Sequence, residues 1–213
     1  MRFECTALVF DLDGTISDPS LGIARCFNYA LQKHDLPVVS EELIKMEIGP
    51  PLDETFLKLA PMTDASQVAT LISTYRERYS ELGYSENTLY PGVQEVLGQL
   101  KDAGLKLGVC TSKRRDFAEK ILALFDLSDY FSFVNGGDIG ITKGNQLETL
   151  LSCKEIDHQA IMVGDRSVDI NSARENGLRA IGVLWGFGDY AELSNASPLC
   201  VVKAVEDLPR LVI

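Results

Sequence analysis

The chain has 213 residues, 46% hydrophobic and 24% charged, which suits a folded globular protein made of one large domain or a core with an insert. Its formal net charge of −11 argues against a nucleic-acid partner, because phosphate backbones attract basic surfaces. No apolar run approaches the ~20 residues that span a bilayer, so no membrane association is expected.

The first apolar run, Thr6-Ala7-Leu8-Val9-Phe10, reads as a buried strand, and Asp11-Leu12-Asp13-Gly14-Thr15 closes it as a sharp acidic loop. Pro19 suits a helix start, after which Leu21, Ile23, Ala24, Phe27, Ala30 and Leu31 recur with helical period. Ser40-Glu41-Glu42 caps a second helix, and Gly49-Pro50-Pro51 breaks it. Leu52 to Leu57 begins a third helix, and a fourth pattern covers Asp64 to Leu82, with no strand expected between residues 16 and 88.

Beyond Tyr90-Pro91-Gly92 the order alternates. Helices are expected over Gly92–Ala103, Asp116–Leu124, 144–151 and Val168–Asn176, and strands over 105–111, Phe131–Asn135, 160–164, 178–184 and near Val201. Such alternation predicts an α/β fold with a doubly wound parallel sheet. The helical stretch 16–88 reads as a small cap domain inserted into a core of residues 1–15 and 89–213.

In such a sheet, ligands bind at the carboxyl ends of strands near a switch in strand order. Asp11 and Asp13 end the first run, Thr111 and Ser112 end a second, and Asp165 and Asp169 follow a third, so the fold would gather all six. Lys143 follows the glycine-rich stretch Asn135–Thr142 and supplies a cation. Carboxylate donors without histidine or cysteine neighbours suit Mg²⁺, which takes hard oxygen ligands. Lys143, the Thr111 hydroxyl and backbone N–H groups around Leu12, Asp13 and Ser112 would bind a phosphoryl group. Five scattered cysteines without a Cys-x-x-Cys pair read as reduced thiols, and with no leader segment evident the expectation is a cytoplasmic protein, monomeric by default.

Four motifs in order, Asp11-x-Asp13-Gly14-Thr15, Thr111-Ser112, Lys143 and Gly164-Asp165-x-x-x-Asp169, resemble those of the haloacid dehalogenase superfamily in its phosphatase branch. Asp18–Ile23, Ile48–Leu52 and Leu184-Trp185-Gly186-Phe187-Gly188 are similar to the phosphoglycolate-phosphatase-like group. The resemblance implies that Asp11 is the nucleophile and a Mg²⁺ ligand. It makes Asp13 the general acid and base, its backbone carbonyl touching the metal. Thr111 and Lys143 would hold the phosphoryl group, Asp165 would bind Mg²⁺ directly, and Asp169 would bind it through water or orient its neighbours. The implied activity is Mg²⁺-dependent hydrolysis of a small phosphorylated metabolite through an aspartyl phosphate. A sugar-phosphate mutase on the same core and a phospho-accepting receiver-type switch are the alternatives.

Overall fold

The computed structural model describes residues 2–50, 52–60, 64–138 and 140–213; Pro51 of the expected helix break and Ile139 of the glycine-rich stretch lie outside the described residues. The chain divides into two compact units, Met1–Ser17 with Leu89–Ile213, and Asp18–Thr88.

In chain order the elements are β1 (Ala7–Phe10), β2 (Ser17–Asp18), α1 (Ser20–Lys33), α2 (Glu41–Met46), α3 (Leu52–Leu59), α4 (Ala65–Glu81) and β3 (Thr88–Leu89). There follow α5 (Val93–Asp102), β4 (Lys106–Arg114), α6 (Arg115–Leu124), β5 (Phe133–Gly137), α7 (Lys143–Ser152) and β6 (Ile161–Gly164). The chain closes with α8 (Ser167–Glu175), β7 (Arg179–Val183), α9 (Tyr190–Asn195), β8 (Cys200–Val202) and α10 (Leu208–Val212).

The helical unit is built around aromatic side chains at helical spacing. Phe27 of α1 stacks on Phe56 of α3 with ring centroids 4.2 Å apart, and Phe56 meets Tyr75 of α4 edge-on at 6.4 Å. Two of its helices, α2 and α4, carry side-chain caps. The Ser40 hydroxyl accepts from the Leu43 N–H, and Asp64 and Gln67 form a reciprocal capping box on α4. Behind α4, the Arg78 guanidinium grips Glu86 with two bonds of 2.8 and 3.1 Å.

The other unit is a six-stranded parallel sheet in the order β5-β4-β1-β6-β7-β8. Every residue of β1 and β6 is buried, as a central parallel strand covered on both faces requires. Counting only sheet strands along the chain, the order is third, second, first, fourth, fifth, sixth. Chain direction across the sheet therefore switches between β1 and β6, and the crevice at that switch lies at their carboxyl ends. Asp11 follows β1 there, and Asp165 follows β6.

Several features depart from the expected elements: the short helices α9 and α10 lie where no helix is expected. Residues expected to be free of strand contain the two-residue ladder of β2 and β3, too short to leave an alternation signal. β5 starts at Phe133, opposite Gly108, rather than at Phe131, and it runs on to Gly137 because β4 continues past Thr111 to Arg114, which pairs with that residue.

Candidate active site

The loop after β1 is wound tightly on itself. The Leu12 carbonyl accepts from the N–H groups of Ile16 and Ser17 at 2.9 and 3.1 Å, while the Gly14 N–H donates to the Ser17 carbonyl at 2.8 Å. Gly14 sits at a φ of +87°, and a Cβ there would lie 2.2 Å from Asp165 Oδ2, so both backbone and space demand glycine. The Leu12 side chain is fully buried, which leaves only its backbone to the site. The N–H groups of Leu12 and Asp13 donate to no backbone carbonyl of the described residues.

Asp11, Asp165 and Asp169 converge, each offering a carboxylate oxygen within 4.8 Å of the others. Lys143, buried in the first turn of α7, lies 3.0 Å from Asp11 Oδ1 and is hydrogen-bonded to Asp169 Oδ1. The Asp11 contact is an ion pair without the alignment of a hydrogen bond. A lysine in a helix's first turn opposes the helix dipole, and here two carboxylates outweigh that penalty. Burial alone would depress the Lys143 pKa, but Asp11 and Asp169 hold it above the ordinary lysine value.

Asp165 is held at both oxygens. Thr15 Oγ1 donates to Oδ1 at 3.0 Å, and the Phe187 N–H, from the loop after β7, donates to Oδ2 at 2.8 Å. Burial, followed by Asp169 and Asp11, raises its pKa well above the ordinary carboxylate value. Asp169 is likewise committed, with Oδ1 on Lys143 and Oδ2 accepting from the Arg166 N–H at 3.0 Å. Burial is also the largest influence on Asp169, and the nearby Asp11 raises its pKa further. Such a cluster of buried carboxylates is electrostatically unsatisfied by one lysine, and all its donors are hard oxygens. The residues fit a divalent cation of the Mg²⁺ type.

Thr111 ends the regular part of β4 and is buried; its hydroxyl oxygen accepts from the Lys113 N–H at 3.2 Å. Ser112 is exposed. The Asp13 carboxylate is not part of the three-acid cluster: Oδ2 pairs with Lys113 Nζ at 2.9 Å, while Oδ1 is buried without a hydrogen-bond partner among the described residues. Burial raises the Asp13 pKa, against the pull of Lys113.

Sequence reasoning did not single out Lys113, Gln146 or the Phe187 N–H. Gln146 shares a face of α7 with Lys143, and its amide nitrogen donates to the Thr111 carbonyl at 3.0 Å and to Asn135 Oδ1 at 3.1 Å. It thus ties the ends of β4 and β5 to α7. A polar residue three positions after Lys143 was the available signal.

The family model of haloacid dehalogenase-like hydrolases matches residues 8–183. The chain is 30% identical to the tyrosine-protein kinase PtkA of Mycobacterium tuberculosis over 94% of its own length and 70% of that protein. It is 34% identical to a 5'-nucleotidase of Pseudomonas aeruginosa over 90% of this chain and 88% of that one. A crystal structure of a predicted phosphatase from Clostridium acetobutylicum matches it with a TM-score of 0.90 at 34% identity, covering 97% of both chains. Phosphoglycolate phosphatases stand among its relatives as well. With the matched region running from β1 through β7 and so enclosing Asp11, Asp13, Thr111, Lys143, Asp165 and Asp169, the chain belongs to the haloacid dehalogenase-like hydrolases and is a phosphoric monoester hydrolase of the phosphoglycolate-phosphatase-like kind.

Proposed function

We propose that this phosphatase hydrolyses a small phosphomonoester in two in-line displacements, with Asp11 as nucleophile and Mg²⁺ as cofactor. The observation that carries the reading is the setting of Asp11: buried at the switch point of the sheet, 3.0 Å from the Lys143 ammonium, and not tied by a directional hydrogen bond at Oδ1.

In the first displacement an Asp11 oxygen bonds to phosphorus as the bond to the leaving oxygen breaks, and Asp13 gives its proton to that oxygen. In the second, Asp13 takes a proton from water, the water oxygen bonds to phosphorus, and the bond to Asp11 breaks. Lys143, the Thr111 hydroxyl and the N–H groups of Leu12 and Asp13 hold the phosphoryl oxygens throughout. Because Thr111 Oγ1 accepts from Lys113, its own proton is directed elsewhere, available to a phosphoryl oxygen. Asp11 and Asp165, with the Asp13 carbonyl, would hold the cation, and Asp169 would orient Lys143 and the Arg166 loop. A bound Mg²⁺ supplies positive charge against the carboxylates and the phosphoryl oxygens.

The helical unit Asp18–Thr88 holds none of these groups, which supports giving it substrate selection rather than chemistry. Phosphoglycolate-like esters, nucleoside monophosphates and sugar phosphates are the candidate substrates, the first two in keeping with the names its relatives carry.

The test is phosphate release from a panel of such metabolites, with and without Mg²⁺, in the wild type and in Asp11→Asn. Release that requires Mg²⁺ and vanishes in the variant supports the reading. Wild-type turnover by Asp11→Asn overturns it. Phosphate retained on the protein, or moved between sugar hydroxyls, would favour a switch or a mutase.

A further inference from the structure

Between Thr111 and Arg114 the ladder of β4 with β5 slips. Thr111 is opposite Gly136 and Arg114 is opposite the next residue, Gly137, so Ser112 and Lys113 bulge out of register. The bulge needs the second glycine. A Cβ at residue 137 would lie 2.6 Å from the Ser112 carbonyl oxygen, too close for any side chain without moving backbone. What the bulge delivers is Lys113. Its side chain is 9% exposed and its ammonium reaches Asp13 Oδ2 at 2.9 Å, while its own N–H meets the Thr111 hydroxyl oxygen.

Asp13 is thereby held from one side only. A buried carboxylate left without partners is costly, and its side chain would otherwise choose among rotamers. Lys113 takes Oδ2, and Oδ1 keeps no hydrogen-bond partner among the described residues. We propose that Lys113 is a positioning residue that acts through Asp13: it fixes the carboxyl group by Oδ2, so that Oδ1 carries the proton exchanged with the leaving oxygen and then with water. Gly137 is part of the same device, because it makes room for the bulge. The proposal rests on Asp13 being the acid and base of the reaction.

The experiment compares kcat/KM for an alkyl phosphate and for 2,4-dinitrophenyl phosphate, whose leaving group needs no proton. It uses wild type, Asp13→Asn, Lys113→Met, Lys113→Arg and the Asp13→Asn/Lys113→Met double variant. A positioning role predicts that Lys113→Met loses about tenfold to a hundredfold on the alkyl ester and less than about threefold on the dinitrophenyl ester. Lys113→Arg should recover most of the loss, and in the Asp13→Asn background Lys113→Met should cost almost nothing further. Equal losses on both esters in Lys113→Met, whether from weaker substrate binding or a loosened fold, overturn the proposal. If Asp13→Asn itself loses equally on both, the acid role of Asp13 falls first and takes this inference with it.

Discussion

Replacing Lys143 by Met tests whether the carboxylate cluster is held by charge or by shape. The two side chains have similar length, so the substitution removes the ammonium and leaves packing nearly intact. Asp11, Asp165 and Asp169 then stand within 4.8 Å of one another with no buried cation among them. Breaking a buried ion pair by removing one partner costs about 3–5 kcal/mol. For a chain of this size each kcal/mol moves Tm by roughly 2–4 °C, so the metal-free variant should melt about 6–20 °C below wild type near neutral pH. The direction of the pH dependence follows from the raised pKa values of Asp165 and Asp169. An acid whose folded pKa is raised keeps its proton where the unfolded chain has lost it. Stability therefore falls as pH climbs from the ordinary carboxylate range through the raised value. Lys143 lowers the Asp169 pKa, so its loss raises that value further, and the deficit should be largest at about pH 8 and much smaller at about pH 5. Thermal denaturation of both proteins at the two pH values, with and without Mg²⁺, measures it. Added Mg²⁺ should recover more in the variant than in the wild type at the higher pH. The same deficit at both pH values would refute the electrostatic account and leave a packing defect.

Two further substitutions probe separate parts of the molecule. Asp165→Asn should raise the Mg²⁺ concentration for half-maximal activity by about tenfold or more. Without metal it should melt no lower than wild type at about pH 8, because the acid it removes is one whose ionisation costs stability there; an unchanged metal titration would end its role as a ligand. In the helical unit, Glu86→Gln breaks the two-bond grip of Arg78 and should cost about 1.5–3 kcal/mol by urea denaturation near pH 7. Arg78 holds the Glu86 pKa below the ordinary 4.5, so the gap between variant and wild type should close as pH falls through that depressed value. No gap at pH 7 would show that the pair is only a surface contact.

The chain alone determines where strands end in chemistry. Ala7–Phe10, Lys106–Cys110 and Ile161–Gly164 are apolar runs that stop at Asp11, Thr111 and Asp165, and burial of a parallel strand on both faces makes such runs conspicuous. The acid types, the absence of neighbouring histidine and the lysine between the motifs point to phosphate and a hard cation for the same local reason. The aromatic and aliphatic stripes of α1 and α4 are equally visible, since helical burial repeats every three to four residues. The short pieces are not. α9 is six residues held by an Asp189 cap, and β2 and β3 have two residues each, too few for any period to register.

Tertiary structure decides which of these groups touch. Lys143 finds Asp169 across 26 positions, and Thr15 finds Asp165 across 150, a separation that no local pattern encodes. The pairing of Lys113 with Asp13 depends on a slip of register in one ladder, which in turn depends on the room left by Gly137 of a different strand. Gln146 acquires its place because a helix turn puts it beside Lys143 while the sheet brings Thr111 and Asn135 under it. Residue type and strand end are local properties of the chain, whereas partner and orientation come from sheet order, register and helix phase, which exist only once the chain is folded.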